Sequence, residues 1–422
     1  MKQQIQQLFF GKLAKASFWL LAGSLIAGAL GYVFQIVMGR MLSVPEYGVF
    51  NALMAIIMIF GATLNTLSMV LSRKVSAYRS DEHMNHRSYL FYMVNKKILI
   101  FAMVFLIPVL FYLESIKQFL EIENTTDLNL LVAIIFIAYP FTVNMAYLQG
   151  LQYFKWLAVS IVLNPLIKIV AAVVLVYFGF QVSGALGGVL ISFIIILIFI
   201  YVVLRRSLGK RNGESISNTS ITYRAAVPVL MANIAFVLMT QMDLILVKHF
   251  FSDQDAGVYA AASILGKAVM YLPGGIVLAL FPMVAENYYN GKSSAIFLVQ
   301  AVVITTLLCT IGALFYYHFS DLVITVLYGE DYRPAAEILK YFGFAMLPMA
   351  LIMVAEHFLI ALGRVLFAYL FIVLAPLQLI AIYYYHDNLL NIVFIMFISG
   401  ITLSLLGYGL LWREYKNGNA TA

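Results

Sequence analysis

Apolar residues in this chain come in long, nearly unbroken runs separated by short polar stretches. A helix needs about 20 predominantly apolar residues to cross a hydrocarbon core about 30 Å thick. Twelve runs reach or approach that length. They lie near residues 17–39, 48–71, 98–113, 128–149, 156–178 and 184–204, then near 225–250, 256–284, 295–318, 341–362, 366–385 and 389–411. The third is short and the eighth long. Inside lipid each backbone N–H and C=O must be satisfied within its own segment, so such runs predict helices. The first run ends without a small-residue cleavage site and is expected to be retained as a span. The most hydrophilic stretch, residues 205–224, is rich in Lys, Arg, Asn, Ser and Gly, a linker composition. It divides the runs six and six. The expected organisation is an N-terminal six-helix lobe (1–208), a cytoplasmic linker (209–224) and a C-terminal six-helix lobe (225–422). The fold class is all-α, integral to a membrane.

Composition sharpens this picture. Of the 422 residues, 63% are hydrophobic and 11% charged, and mean hydropathy is +0.95. A soluble domain is about a quarter charged, so a soluble enzyme, a disordered chain and a nucleic-acid-binding module are excluded. The net charge of +7 reflects where the basic residues fall. With the N-terminus cytoplasmic, inner segments hold nineteen of the 26 Lys and Arg, among them Lys2, Arg73, Lys74, Arg205, Arg206 and Arg413. The outer side holds only Arg40, Lys117, Arg333 and Lys340, beside the acidic Glu114, Glu121, Glu123, Asp127, Asp253 and Asp255. This is the positive-inside pattern of a cytoplasmic membrane protein with both termini cytoplasmic. The single cysteine, Cys309, excludes an intramolecular disulfide and a thiolate metal cluster. No Gly-x-x-x-x-Gly-Lys-Ser/Thr phosphate loop is present, and no loop is long enough for a nucleotide-binding domain. Neither a cofactor nor a metal is expected.

The halves of the chain can be superposed. Ser43-Val44-Pro45-Glu46-Tyr47-Gly48-Val49-Phe50-Asn51-Ala52 matches Ser252-Asp253-Gln254-Asp255-Ala256-Gly257-Val258-Tyr259-Ala260-Ala261 in its Ser, acid, Gly, Val, aromatic and Ala positions. Asn164-Pro165-Leu166 likewise faces Ala375-Pro376-Leu377 at nearly the same offset. Nearly equal offsets point to a duplicated six-helix unit. An even number of spans per unit makes the repeats parallel, an arrangement that places a substrate cavity between the lobes.

Several of these segments resemble a known family. Gly39-Arg40-Met41-Leu42-Ser43-Val44-Pro45-Glu46-Tyr47-Gly48 looks like the Ala-Arg-x-Leu-Gly-x-x-Glu-Tyr-Gly signature of polysaccharide exporters, with Ser43 where glycine is usual. Asp243 with Asp255-Ala256-Gly257-Val258-Tyr259-Ala260-Ala261-Ala262 is similar to that family's Asp…Gly-x-Tyr-x-x-Ala stretch. Phe281-Pro282 and Tyr328-Gly329-Glu330-Asp331-Tyr332-Arg333-Pro334-Ala335-Ala336 resemble its later motifs. The family is the polysaccharide and oligosaccharide-lipid flippase branch of the multidrug/oligosaccharidyl-lipid/polysaccharide (MOP) exporter superfamily. The resemblance implies a MATE-like architecture of two six-helix lobes. It also implies flipping of a polyprenyl pyrophosphate-linked oligosaccharide for surface polysaccharide synthesis, with membrane lipids and pathway glycosyltransferases or a polymerase as partners.

Ionisable groups within spans are costly, and they face a cavity or a partner. Ser160, Asn164 and Lys168 recur every four residues in the fifth run and form one stripe, interrupted by Pro165. A cationic lumen that pairs with pyrophosphate is the functional reading of Lys168; a lysine snorkelling to a headgroup is the bland one. In the seventh run Asn233, Thr240 and Asp243 share a side, and in the eighth Ser263, Lys267 and Tyr271 do. Asp243 and Lys267 have opposite signs on successive helices, so a plain interhelical pair competes with substrate and coupling-ion roles. Glu356 and His357 are coupling-ion candidates or, on the structural reading, partners of Arg364. Gln35, Asn51 and Asn65 can hydrogen-bond sugar hydroxyls, although Gly and Ser at helical spacing near them favour packing. Arg40 lies at the expected outer mouth, with Glu46 or a lipid phosphate as its ordinary partner.

Four rival functions are weighed on the same residues. A cation-coupled multidrug exporter of this fold favours acidic cavity groups, whereas the first span here has no carboxylate. A lipid II flippase resembles a fourteen-span chain with arginines in its first helices. A membrane polymerase or ligase needs a large outer catalytic loop, and no such loop or catalytic spacing occurs, so the chain is not expected to be an enzyme. A non-catalytic subunit of a polysaccharide synthase complex remains as an alternative.

Overall fold

The structure is a computed structural model that describes residues 12–78, 84–205, 208, 226–276, 284, 295–361 and 366–416. Among these residues there is no strand. Twelve main helices follow in order: α1 (Lys12–Met41), α2 (Val44–Ala77), α3 (Met84–Phe111), α4 (Thr125–Gly150), α5 (Phe154–Tyr177) and α6 (Gln181–Arg205), then α7 (Ala226–Phe250), α8 (Asp253–Tyr271), α9 (Ala295–Leu327), α10 (Ala335–Ala361), α11 (Leu366–Tyr384) and α12 (Leu389–Lys416). Eleven of the described helices are long and apolar enough to cross a membrane, and Ala368–Tyr384 within α11 is a shorter apolar helix. Each expected run corresponds to one of these twelve helices.

The boundaries differ where local chemistry intervenes. The eighth run, expected to continue to residue 284, breaks after Tyr271: Leu272 and Pro273 form a turn, because proline offers no N–H to the helical ladder. The ninth helix instead overruns its apolar stretch to Leu327, through non-helical dihedrals at Phe319 (φ −118°, ψ 16°). Leu113–Phe119, expected as loop, forms a short helix. Helix starts are fixed by side-chain caps: Asn124 accepts from the N–H of Thr126 at 3.0 Å, and Ser252 accepts from the N–H of Asp255 at 3.2 Å. Each such cap satisfies one of the amides left open at a helix start.

The described helices fall into two compact units. One holds α1, α2 from Phe60 onward, and α3 to α6; the other holds Val44–Ile59 of α2 together with α7 to α12. The sequence-based division keeps all of α2 with the first lobe, so Val44–Ile59 is the segment that groups differently. The reason is a close approach within the second unit. A Cβ added to Gly48 would lie 2.8 Å from the backbone N of Gly257, and one added to Gly257 would collide with the carbonyl of Val44. These are the two equivalent glycines of the duplicated motif, packed against each other.

Within the first unit α5 packs on both α1 and α6, α6 packs on α4, and α4 on α3. Within the second, α11 packs on both α7 and α12, α12 packs on α10, and α10 on α9. The neighbour order repeats six helices later, so the duplication read from motif offsets recurs in the packing. Small residues permit these contacts, as is usual where lipid supplies no hydrophobic drive between helices. At Gly188 of α6 a Cβ would stand 2.6 Å from the Ala172 Cβ of α5.

Candidate functional site

The α5 stripe lies in the first unit. Ser160 is buried and turns its hydroxyl back to the Trp156 carbonyl at 2.9 Å. Asn164 donates to Ser192 Oγ on α6 at 3.4 Å, and Ser192 donates in turn to the Val189 carbonyl. Pro165, inside the helix, has no N–H to offer the carbonyl one turn earlier. Lys168, half-buried, places Nζ 4.1 Å from the centre of the Phe34 ring on α1. Phe34 is only 1% exposed. None of the ion pairs among the described residues involves Lys168. An aromatic face contributes about 0.5–2 kcal/mol to a nearby cation. That falls well short of the several kcal/mol lost on taking an ion out of water. The geometry therefore leaves Lys168 without a counter-charge among the described residues.

The second unit holds a different constellation. Asp243 on α7 is fully buried and accepts three bonds from one face of α8: from Tyr259 OH at 3.1 Å, Ser263 Oγ at 3.0 Å and Lys267 Nζ at 2.9 Å. The donors recur every four residues, so one helical stripe meets one carboxylate. Lys267 is also buried, and its charge is balanced by Asp243. Of the open readings for this pair, the interhelical ion pair is the arrangement seen. Lys248 is likewise satisfied, with Asp253 at 2.5 Å.

The other candidates are dispersed. Asn51 is buried and donates to the Tyr47 carbonyl at 2.9 Å, while its Oδ1 has no hydrogen-bond partner among the described residues. Asn65 and Arg40 are exposed, and Gln35 and Asn233 are half-buried. Tyr271 is 46% exposed, one turn beyond Lys267. His357 contacts the Met353 carbonyl through Nδ1 at 2.8 Å. Glu356 is buried with no ion pair among the described residues; Arg364, its expected partner, lies outside them. The described residues contain no His/Cys/Asp/Glu group able to hold a metal ion.

Some residues were not singled out as site candidates by the sequence. Phe34 was one of 32 phenylalanines and carried no mark. Tyr259 stands four residues before Ser263, so extending that stripe by one turn would have found it. Tyr47, Tyr328 and Tyr332 form a buried cluster in the second unit: the hydroxyls of Tyr47 and Tyr328 are 3.1 Å apart, and the Tyr332 ring stands edge-on to Tyr47. Gly329, at φ +110°, provides the turn that brings Tyr332 back, in a conformation open mainly to glycine.

Among the described residues, the all-helical architecture, with eleven helices long and apolar enough to cross a membrane and a twelfth, shorter one, defines a multi-pass membrane protein. Solved structures of MOP-superfamily proteins share its fold. An inward-facing multidrug resistance MATE family transporter is 15% identical, with a TM-score of 0.76 over 91% of this chain and 95% of that one. The lipid II flippase MurJ, in an inward closed conformation, is 13% identical, with a TM-score of 0.70 over 92% of this chain and 86% of that one. A MOP superfamily transporter from Pyrococcus furiosus, described by a reversed polarity of its binding pocket, is 17% identical, with a TM-score of 0.65 over 99% and 98%. No curated protein matches the chain. Residues 13–288 match the polysaccharide biosynthesis protein family; the chain belongs to that family.

Proposed function

We propose that the chain is a transporter that flips a polyprenyl pyrophosphate-linked oligosaccharide from the cytoplasmic to the outer leaflet by alternating access, for surface polysaccharide synthesis. The observation that carries the reading is Lys168. It is an ammonium well inside a spanning helix, set against an aromatic ring in place of a carboxylate, in a chain of the polysaccharide biosynthesis family. A pyrophosphate is the anion that such a lipid carrier brings to membrane depth. Asn164, Gln35, Asn51, Asn65 and Asn233 supply uncharged donors and acceptors suited to sugar hydroxyls, and Asp243, Glu356 and His357 are the candidates for ion coupling. Placement in the cytoplasmic membrane with both termini cytoplasmic follows from the basic bias of the inner loops. Glycosyltransferases or a polymerase of the same pathway are the expected partners. A multidrug exporter of the same fold fits less well, because an unpaired lysine repels cationic drugs.

The test is binding of two lipids to the purified full chain in nanodiscs: a polyprenyl diphosphate and the matching uncharged polyprenol. A hydrogen bond to a charged group contributes about 1.5–3 kcal/mol. Lys168→Ala is thus expected to weaken diphosphate binding about 10- to 150-fold and to leave polyprenol binding unchanged. Equal affinity for both lipids, or diphosphate affinity that survives Lys168→Ala, would refute the reading.

A further inference from the structure

Lys168 on α5, Lys248 on α7 and Lys267 on α8 have partners that differ in kind. Lys267 has Asp243 at 2.9 Å and Lys248 has Asp253 at 2.5 Å. Lys168 has instead the face of Phe34, with Nζ 4.1 Å from the ring centre. The ring is held in place: Phe34 is almost completely buried, and α1 is seated closely on α5, where a Cβ on Gly23 would meet the Ala158 Cβ at 3.3 Å. The distinction has a chemical consequence. A carboxylate partner would oppose an incoming phosphate with its own negative charge. A ring quadrupole attracts the ammonium but holds it far less firmly than an anion does. Binding must be strong enough for entry and weak enough for exit, and an exchangeable neutral partner meets both demands.

We propose that Phe34 is a positioning residue for Lys168. Its ring face is the resting partner that a diphosphate displaces on binding and that recaptures the ammonium when the diphosphate leaves. This rests on the reading of Lys168 as the diphosphate contact. The ring thus competes with the ligand: weakening its π face tightens diphosphate binding and slows release, while leaving the shape of the site intact.

The experiment replaces Phe34 with pentafluorophenylalanine, which keeps the shape but removes the attractive face, and separately makes Phe34→Leu. Binding and dissociation of a sugar-free polyprenyl diphosphate are measured on the full chain in nanodiscs. Both variants are expected to bind the probe about threefold to thirtyfold more tightly and to release it more slowly by a similar factor. In a Lys168→Met background the same changes at position 34 are expected to have no effect. Unchanged or weaker binding with the fluorinated ring would overturn the proposal. The two failures are distinguishable. If Lys168→Met alone leaves probe binding intact, the Lys168 reading falls and the positioning role with it. If Lys168→Met abolishes binding but the fluorinated ring changes nothing, only the role of Phe34 falls.

Discussion

Lys267→Met removes from Asp243 its whole counter-charge and one of three hydrogen bonds. Tyr259 and Ser263 remain as donors at 3.1 and 3.0 Å, so the carboxylate is left solvated by two hydroxyls in a site from which water is excluded. Breaking a buried pair from one side costs about 3–5 kcal/mol; with two donors retained, the lower end, about 3 kcal/mol, is expected. Asp243→Asn strands the ammonium instead, and a similar loss is expected. The double variant carries neither buried charge, so its loss should fall short of the sum of the single losses by about 2–3 kcal/mol. Unfolding free energies of the purified chain in bicelles, taken around this double-mutant cycle, provide the measurement. Strict additivity, or a Lys267→Met variant within about 0.5 kcal/mol of the parent, would show that the pair does not bind α7 to α8.

Two further outcomes follow from close packing and from burial. Gly257→Ala drives a methyl into the Val44 carbonyl and should cost about 1–3 kcal/mol by overpacking, whereas Gly61→Ala, with nothing within 4 Å, should be neutral or slightly stabilising; thermal unfolding of both in one detergent decides. Burial, together with neighbouring charge, raises the Tyr332 hydroxyl above its ordinary value of 10.0, and burial does the same for Tyr328. The neutral forms are thus favoured in the folded state, and their stabilisation is complete below about pH 10 and lost as pH rises through the raised values. The melting temperature should fall above pH 10, and Tyr332→Phe should flatten that fall; identical alkaline profiles would refute the assignment.

The spanning helices were legible because lipid leaves the backbone no alternative to internal hydrogen bonding, and run length alone then locates them. What set the differences was local or tertiary. Pro273 ended α8 where hydropathy continued, and the contact between Gly48 and Gly257 drew the start of α2 into the other unit. The matching offset of those two glycines recorded the duplication without revealing that its copies touch. In the site, four-residue spacing exposed the Ser160–Asn164–Lys168 stripe, and opposite signs announced Asp243 with Lys267. Spacing could not show that Lys267 is neutralised while Lys168 is not, since that depends on which side chain of another helix lies opposite. Phe34 is that side chain for Lys168, and nothing in its sequence context distinguishes it.

Transport itself is the most direct test of the role of Lys168. The purified chain, reconstituted alone into liposomes with a fluorescent polyprenyl diphosphate-linked oligosaccharide, can be scored for leaflet exchange by quenching of outward-facing label. Exchange well above that of protein-free liposomes, lost in a Lys168→Ala variant that still folds, is the predicted result. Exchange no faster than in protein-free liposomes, or undiminished in Lys168→Ala, would contradict it.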